Sequence, residues 1–146
     1  EAILADSELG DKRRAADVKK DYSFLVDVKA YLRNMLEDEP SNKKYMTHLG
    51  CEYLLDRDIR GFKEFIETYF GTETLPVLPR SFQEAVLIYA ETEPEYWEKY
   101  GVDLNIIEKH KQYKHLYLSN KNSPNLKGMM YKNFGDTYWY YMMFKN

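Results

Sequence analysis

Three histidines and one cysteine are the side chains of this sequence best suited to catalysis or metal binding. His48 and Glu52 stand four apart, so a helix would set them on one face. A hydrogen-bonded surface pair is the expected outcome there, rather than half a metal site. His110 and His115 are five apart, which leaves them about 140° apart round a helix axis. They do not share the face that two metal ligands need. Cys51 has no neighbouring pattern of a nucleophile and reads as a packed small side chain. No glycine-rich phosphate loop, no Gly-x-Ser-x-Gly and no paired-cysteine zinc spacing occurs. The sequence thus marks no catalytic residue, no metal and no cofactor, and the expectation is a protein that is not an enzyme. A small enzyme built from distant residues would need a deep pocket of clustered ionisable groups.

Lys109, Lys111, Lys114 and His115 are interleaved with Tyr113 and Tyr117. Such a mixture can hold single-stranded nucleic acid by stacking and charge. The formal net charge of -3 argues against it, and an amphipathic helix with tyrosines is the expected reading. Charge is uneven along the chain. Residues 1–102 carry 14 Lys/Arg against 21 Asp/Glu, and residues 103–146 carry 7 against 3. Internal complementarity between the two parts is expected, in preference to a basic docking face.

A chain of 146 residues is most simply one domain. Chains of this size bury about 70% of their unfolded surface, so no disulfide or metal is needed for stability. The fourteen tyrosines suit cores, interfaces and ligand surfaces alike. The chain starts at Glu1, with no signal-peptide pattern and no apolar run near the length of a membrane span. A soluble segment is the expectation, either cut from something longer or the mature form of a secreted chain.

The elements that must position these residues are helices. Residues 1–20 are a charged, weakly anchored segment with the basic triplet Lys12, Arg13 and Arg14. Asp21 to Leu36 places Phe24, Leu25, Val28, Tyr31, Leu32, Met35 and Leu36 on one face, with Asp21 or Ser23 as cap, and stops before Pro40. Ser41 or Asn42 caps a helix to about Leu55 with the stripe Tyr45, Met46, Leu49, Tyr53 and Leu54. Asp56-Arg57-Asp58 is a turn, and Ile59 to Phe70 carries Ile59, Phe62, Phe65, Ile66 and Tyr69. Gly50 and Gly61 predict close helix contact, because a mid-helix glycine otherwise costs about 1 kcal/mol. Pro76 and Pro79 bracket an extended link. A helix with Phe82, Ala85, Val86 and Tyr89 follows, then a loop or single turn over EPEYWEKYGV. Asp103 caps a helix whose stripe is Ile106, His110, Tyr113 and Tyr117, and an aromatic tail covers 123–146.

Met46-x-x-Leu49-Gly50-x-x-Tyr53, then Gly61-x-x-x-Phe65 and a later proline, resembles a tetratricopeptide repeat. Met46 stands in place of its tryptophan and Gly61 in place of its alanine. The likeness covers residues 40–79 and has no second full copy. It implies an all-α fold of antiparallel helical hairpins, stacked as a short tetratricopeptide-like array with a C-terminal aromatic capping segment. It also implies a concave groove for a protein or peptide partner. In that geometry Lys44, Thr47, His48, Cys51 and Glu52 are the candidate groove residues.

A second resemblance is broader. The EDEPSNKKYMTHLGCEYLLDRDIRGFKEFI hairpin, the LPRSFQEAVLIYA helix and the FGDTYWYYMMF ending are similar to the C-terminal helical region of an uncharacterised bacterial, Bacteroidetes-type family of unknown function. That family is membrane-anchored, so the resemblance implies a soluble portion beside a membrane-embedded remainder, and it transfers no catalytic residue.

The tail Tyr138-Trp139-Tyr140-Tyr141-Met142-Met143-Phe144 has three readings. It caps the core, it meets a partner through Tyr138, Trp139, Tyr141 and Phe144, or it touches a membrane surface. The expected function is a non-enzymatic protein-interaction or scaffold module that binds no nucleic acid. A purely structural domain is the alternative.

Overall fold

The computed structural model describes residues 27–144, so the charged segment 1–20 and the helix start expected at Asp21 lie outside the described residues. Among the described residues there are eight helices and no strand. They are α1 (Val28–Asp38), α2 (Lys43–Leu55), α3 (Ile59–Tyr69), α4 (Arg80–Tyr89), α5 (Pro94–Lys99), α6 (Leu104–Asn120), α7 (Leu126–Phe134) and α8 (Tyr138–Phe144). The fold is all-α. EPEYWEKYGV, expected as a loop or single turn, holds the six-residue α5, because Pro94 presets the first helical turn. Trp97 then anchors this helix by donating from its indole to the Ala90 carbonyl at 2.7 Å. The tail holds two helices, α7 and α8.

Short polar side chains start the helices, as their sequence suggests. The carboxylate or amide oxygens of Asp27, Asn42, Asp58 and Asp103 accept from the backbone N–H groups of Ala30, Tyr45, Gly61 and Asn105. Each satisfies a donor that the helix itself leaves free. Gly101, at φ +64, ends the turn after α5.

Helices α1, α2, α3 and α4 pack each on the next. Gly50 is where this layer is tightest. A Cβ there would run into the Phe82 ring and stand 2.9 Å from Phe65 Cε2. Both rings are fully packed and have little room to move. Gly50→Ala is expected to lower the unfolding free energy by about 1–2 kcal/mol, overpacking outweighing the gain in helix propensity. Urea denaturation measures this, and a stabilised variant would show that the rings do give way. Gly61 serves a different contact: a Cβ there would press on its own capping residue Asp58 and on Tyr53 of α2.

Past α4 the packing leaves chain order. Helices α6 and α8 both lie on α4, and α7 bridges them. The reason is in α4, where six consecutive residues, Phe82 to Leu87, are buried. A helix apolar on one stripe needs one neighbour, but α4 is enclosed all round, and two of its buried residues are Gln83 and Glu84. Gln83 donates to the Leu78 carbonyl at 2.8 Å and accepts from the Asp103 N–H at 2.7 Å. It thereby fixes the Pro76–Pro79 link and the start of α6 on one peg.

Candidate functional site

Three helices meet around a cleft of about 390 Å³. Helix α6 supplies His110, Tyr113, Lys114, Tyr117 and Leu118, and α8 supplies Trp139, Met142 and Met143. Both sets follow the three- and four-residue spacing of a single helix face. Ile88 of α4 and Glu91 just beyond it complete the wall.

Helix α8 is held over this place by polar contacts with the rest of the chain. Glu84 Oε1 accepts from the Tyr138 N–H at 2.8 Å, and the Trp139 indole donates to the Glu84 carbonyl at 2.9 Å. The Tyr138 and Tyr141 hydroxyls donate to the Leu54 and Leu55 carbonyls at 2.6 and 2.8 Å. Those two carbonyls end α2, where the helix leaves its acceptors without internal partners. Arg57, in the left-handed region at φ 56, donates to the Tyr141 carbonyl at 3.0 Å and lies over the Tyr141 ring. On the other side, Arg80 pairs with Glu84 and Asp136, and Lys109 approaches Asp136.

Inside the cleft, His110 and Tyr113 carry polar atoms at depth. Of the two, His110 is the imidazole. It is 7% exposed. Its ring packs 4.7 Å from Trp139 and stacks parallel to Tyr113 at 6.3 Å. Burial lowers its pKa to about 4, with Lys114 adding to the effect and Glu91 opposing it, so the imidazole is neutral at physiological pH. Burial also pushes the Tyr113 hydroxyl up to about 12. That hydroxyl lies 3.4 Å from the Trp139 carbonyl and 3.2 Å from Met143 Sδ. At the rim, Lys114 and Glu91 pair at 3.5 Å, both about half exposed.

The residues expected from repeat geometry lie elsewhere. Lys44 and Thr47 are exposed on α2, and His48, Cys51 and Glu52 are half-buried there. None of the five lines the cleft. His48 and Glu52 do face one another, Nε2 to Oε2 at 3.3 Å. Of the four tail residues, Tyr138 and Trp139 are buried within the chain, while Tyr141 and Phe144 are partly buried against the core. Trp139 alone of these lines the cleft. Sequence reasoning passed over Ile88, Glu91 and Leu118, and it noted Met142 and Met143 within the tail without choosing them as contact residues. The spacing of Trp139, Met142 and Met143 was the available signal, since it marks one helix face. Among the described residues, no group of three or more His, Cys, Asp and Glu side chains is placed to hold a metal ion. No helix among them is long and apolar enough to cross a membrane.

Fold and site together define an all-helical domain with an aromatic, thioether-lined cleft. The chain belongs to a family of unknown function, DUF6057, whose family model matches residues 1–145. No curated protein matches it, and no solved structure does.

Proposed function

We propose that this chain is a non-enzymatic interaction module that takes an extended peptide of a protein partner along the α4–α6–α8 cleft. The observation behind this reading is the apolar rim. Leu118 and Met143 are 60% and 45% exposed, and they continue the lining of the cleft onto the surface. A concave pocket for one anchoring side chain, bordered by apolar surface for its neighbours, is how peptide-binding surfaces concentrate their affinity. The tetratricopeptide-like pattern of the α2–α3 hairpin supports the same class of function, because helical stacks commonly carry such surfaces.

Peptide display against the full chain tests this. Enriched peptides are expected to bind Leu118→Asp at least about tenfold more weakly, since the change puts a charge on the apolar rim. Peptides that bind the variant unchanged, or a selection that enriches nothing, would overturn the reading. The burial of Tyr138, Trp139 and Tyr140 favours one rival, a purely structural domain, for which no peptide is enriched at all.

A further inference from the structure

We propose that the cleft receives a tyrosine or tryptophan side chain of the partner peptide, with its hydroxyl or indole N–H hydrogen-bonded to His110. This rests on the interaction reading above and adds the chemistry of the anchor. His110 is more than nine-tenths buried, lines the cleft, and makes no hydrogen bond among the described residues. A neutral imidazole carries one donor and one acceptor. The His110 ring nitrogens are not sealed in the core, so a ligand atom entering the cleft can hydrogen-bond to them.

The walls select what can carry that partner. Trp139, Tyr113 and Tyr117 present rings, and Met142 and Met143 present thioethers. Rings pack favourably against both, edge to face or against sulfur. The rim charges do not call for a charged ligand, because Lys114 and Glu91 neutralise one another at 3.5 Å. The volume of about 390 Å³ lies at the small end of ligand sites, which run from about 300 to 1,000 Å³. It suits one large side chain better than an extended cofactor. Phenylalanine fills the same space but leaves His110 unpartnered, so the site discriminates between rings with and without a hydrogen-bonding atom.

The test uses the full chain with methyl-labelled methionine, titrated with N-acetyl-tyrosinamide, N-acetyl-tryptophanamide and N-acetyl-phenylalaninamide. The first two are expected to shift the Met142 and Met143 signals and to bind about five-fold more tightly than the third, the worth of one net hydrogen bond. In His110→Phe that preference should disappear. Equal binding of the tyrosine and phenylalanine amides to the native chain overturns the proposal, and that comparison needs no variant. So does a preference that survives in His110→Phe, or signals that none of the amides moves. Display-selected peptides that enter the cleft through leucine would overturn this anchor while leaving the interaction reading intact. Amides that bind where no peptide is enriched would overturn the peptide partner itself.

Discussion

Trp139→Ala is expected to lower the unfolding free energy by about 3–5 kcal/mol, the range for removing a large buried aromatic side chain. Trp139 is 2% exposed at the meeting point of α4, α6 and α8. Its indole donates to the Glu84 carbonyl at 2.9 Å, and its ring lies 4.7 Å from His110 and 5.7 Å from Tyr113. Truncation removes all of these together and leaves a void that rigid helices on both sides cannot close. Urea unfolding gives the magnitude, and amide hydrogen exchange over 138–144 shows whether α8 loosens first. A loss below about 1 kcal/mol would mean that α8 is an ornament on the core rather than part of it.

Glu84 supplies the second test, through two substitutions of opposite sign. Glu84→Ala is expected to cost about 2–3 kcal/mol, because it strands the buried Tyr138 N–H and opens space under α8. Glu84→Gln keeps an acceptor for that N–H and is expected to match or exceed the native stability above neutral pH. Burial raises the Glu84 pKa, and the Tyr138 N–H, Arg80 and Lys109 only partly offset it. A carboxyl whose folded pKa is raised contributes stability that is present below its unfolded pKa and is lost as pH rises through the folded one. His110 acts in the opposite sense. Its folded pKa of about 4 lies below the ordinary 6.5, so the unfolded chain takes up the proton first and stability falls as pH drops from 6.5 towards 4. The two contributions overlap and oppose one another in the native chain. Glu84→Gln should therefore steepen the acid loss, and His110→Phe should flatten it. Stability measured by urea unfolding from pH 4 to 8 separates them, and parallel curves for all three proteins would contradict the assignment.

The helices of the first half were legible in the sequence because each is governed by local chemistry. Asn42 and Asp103 cap the helices they were expected to cap. Met46, Leu49, Phe62, Phe65, Ile66 and Phe82 are buried as their spacing required. Gly50 meets the rings of neighbouring helices, which is what a glycine on an apolar stripe implies. His110 and Tyr113 were legible in the same way, as members of one face.

The role of α4 was not legible. Its apolar stripe of Phe82, Ala85, Val86 and Tyr89 reads as an ordinary one-sided helix, and by helical spacing Gln83 and Glu84 fall on the face away from it. Only the folded chain shows that α6 and α8 close over that face, and that the two polar residues are pegs for their N-termini. Likewise, nothing local says that the Tyr138 and Tyr141 hydroxyls, more than eighty residues away in sequence, terminate α2. Sequence by itself determined the helical class, the caps at Asn42 and Asp103 and most of the core stripes, because these depend on neighbours within a turn or two. Asp27 in place of Asp21 or Ser23 caps α1, and Tyr31 of its expected apolar face is exposed. Tertiary structure alone decided which helices enclose α4, where the cleft opens and that His110 lines it. Those outcomes depend on long-range hydrogen bonds and burial, which arise only when distant segments exclude water from one another.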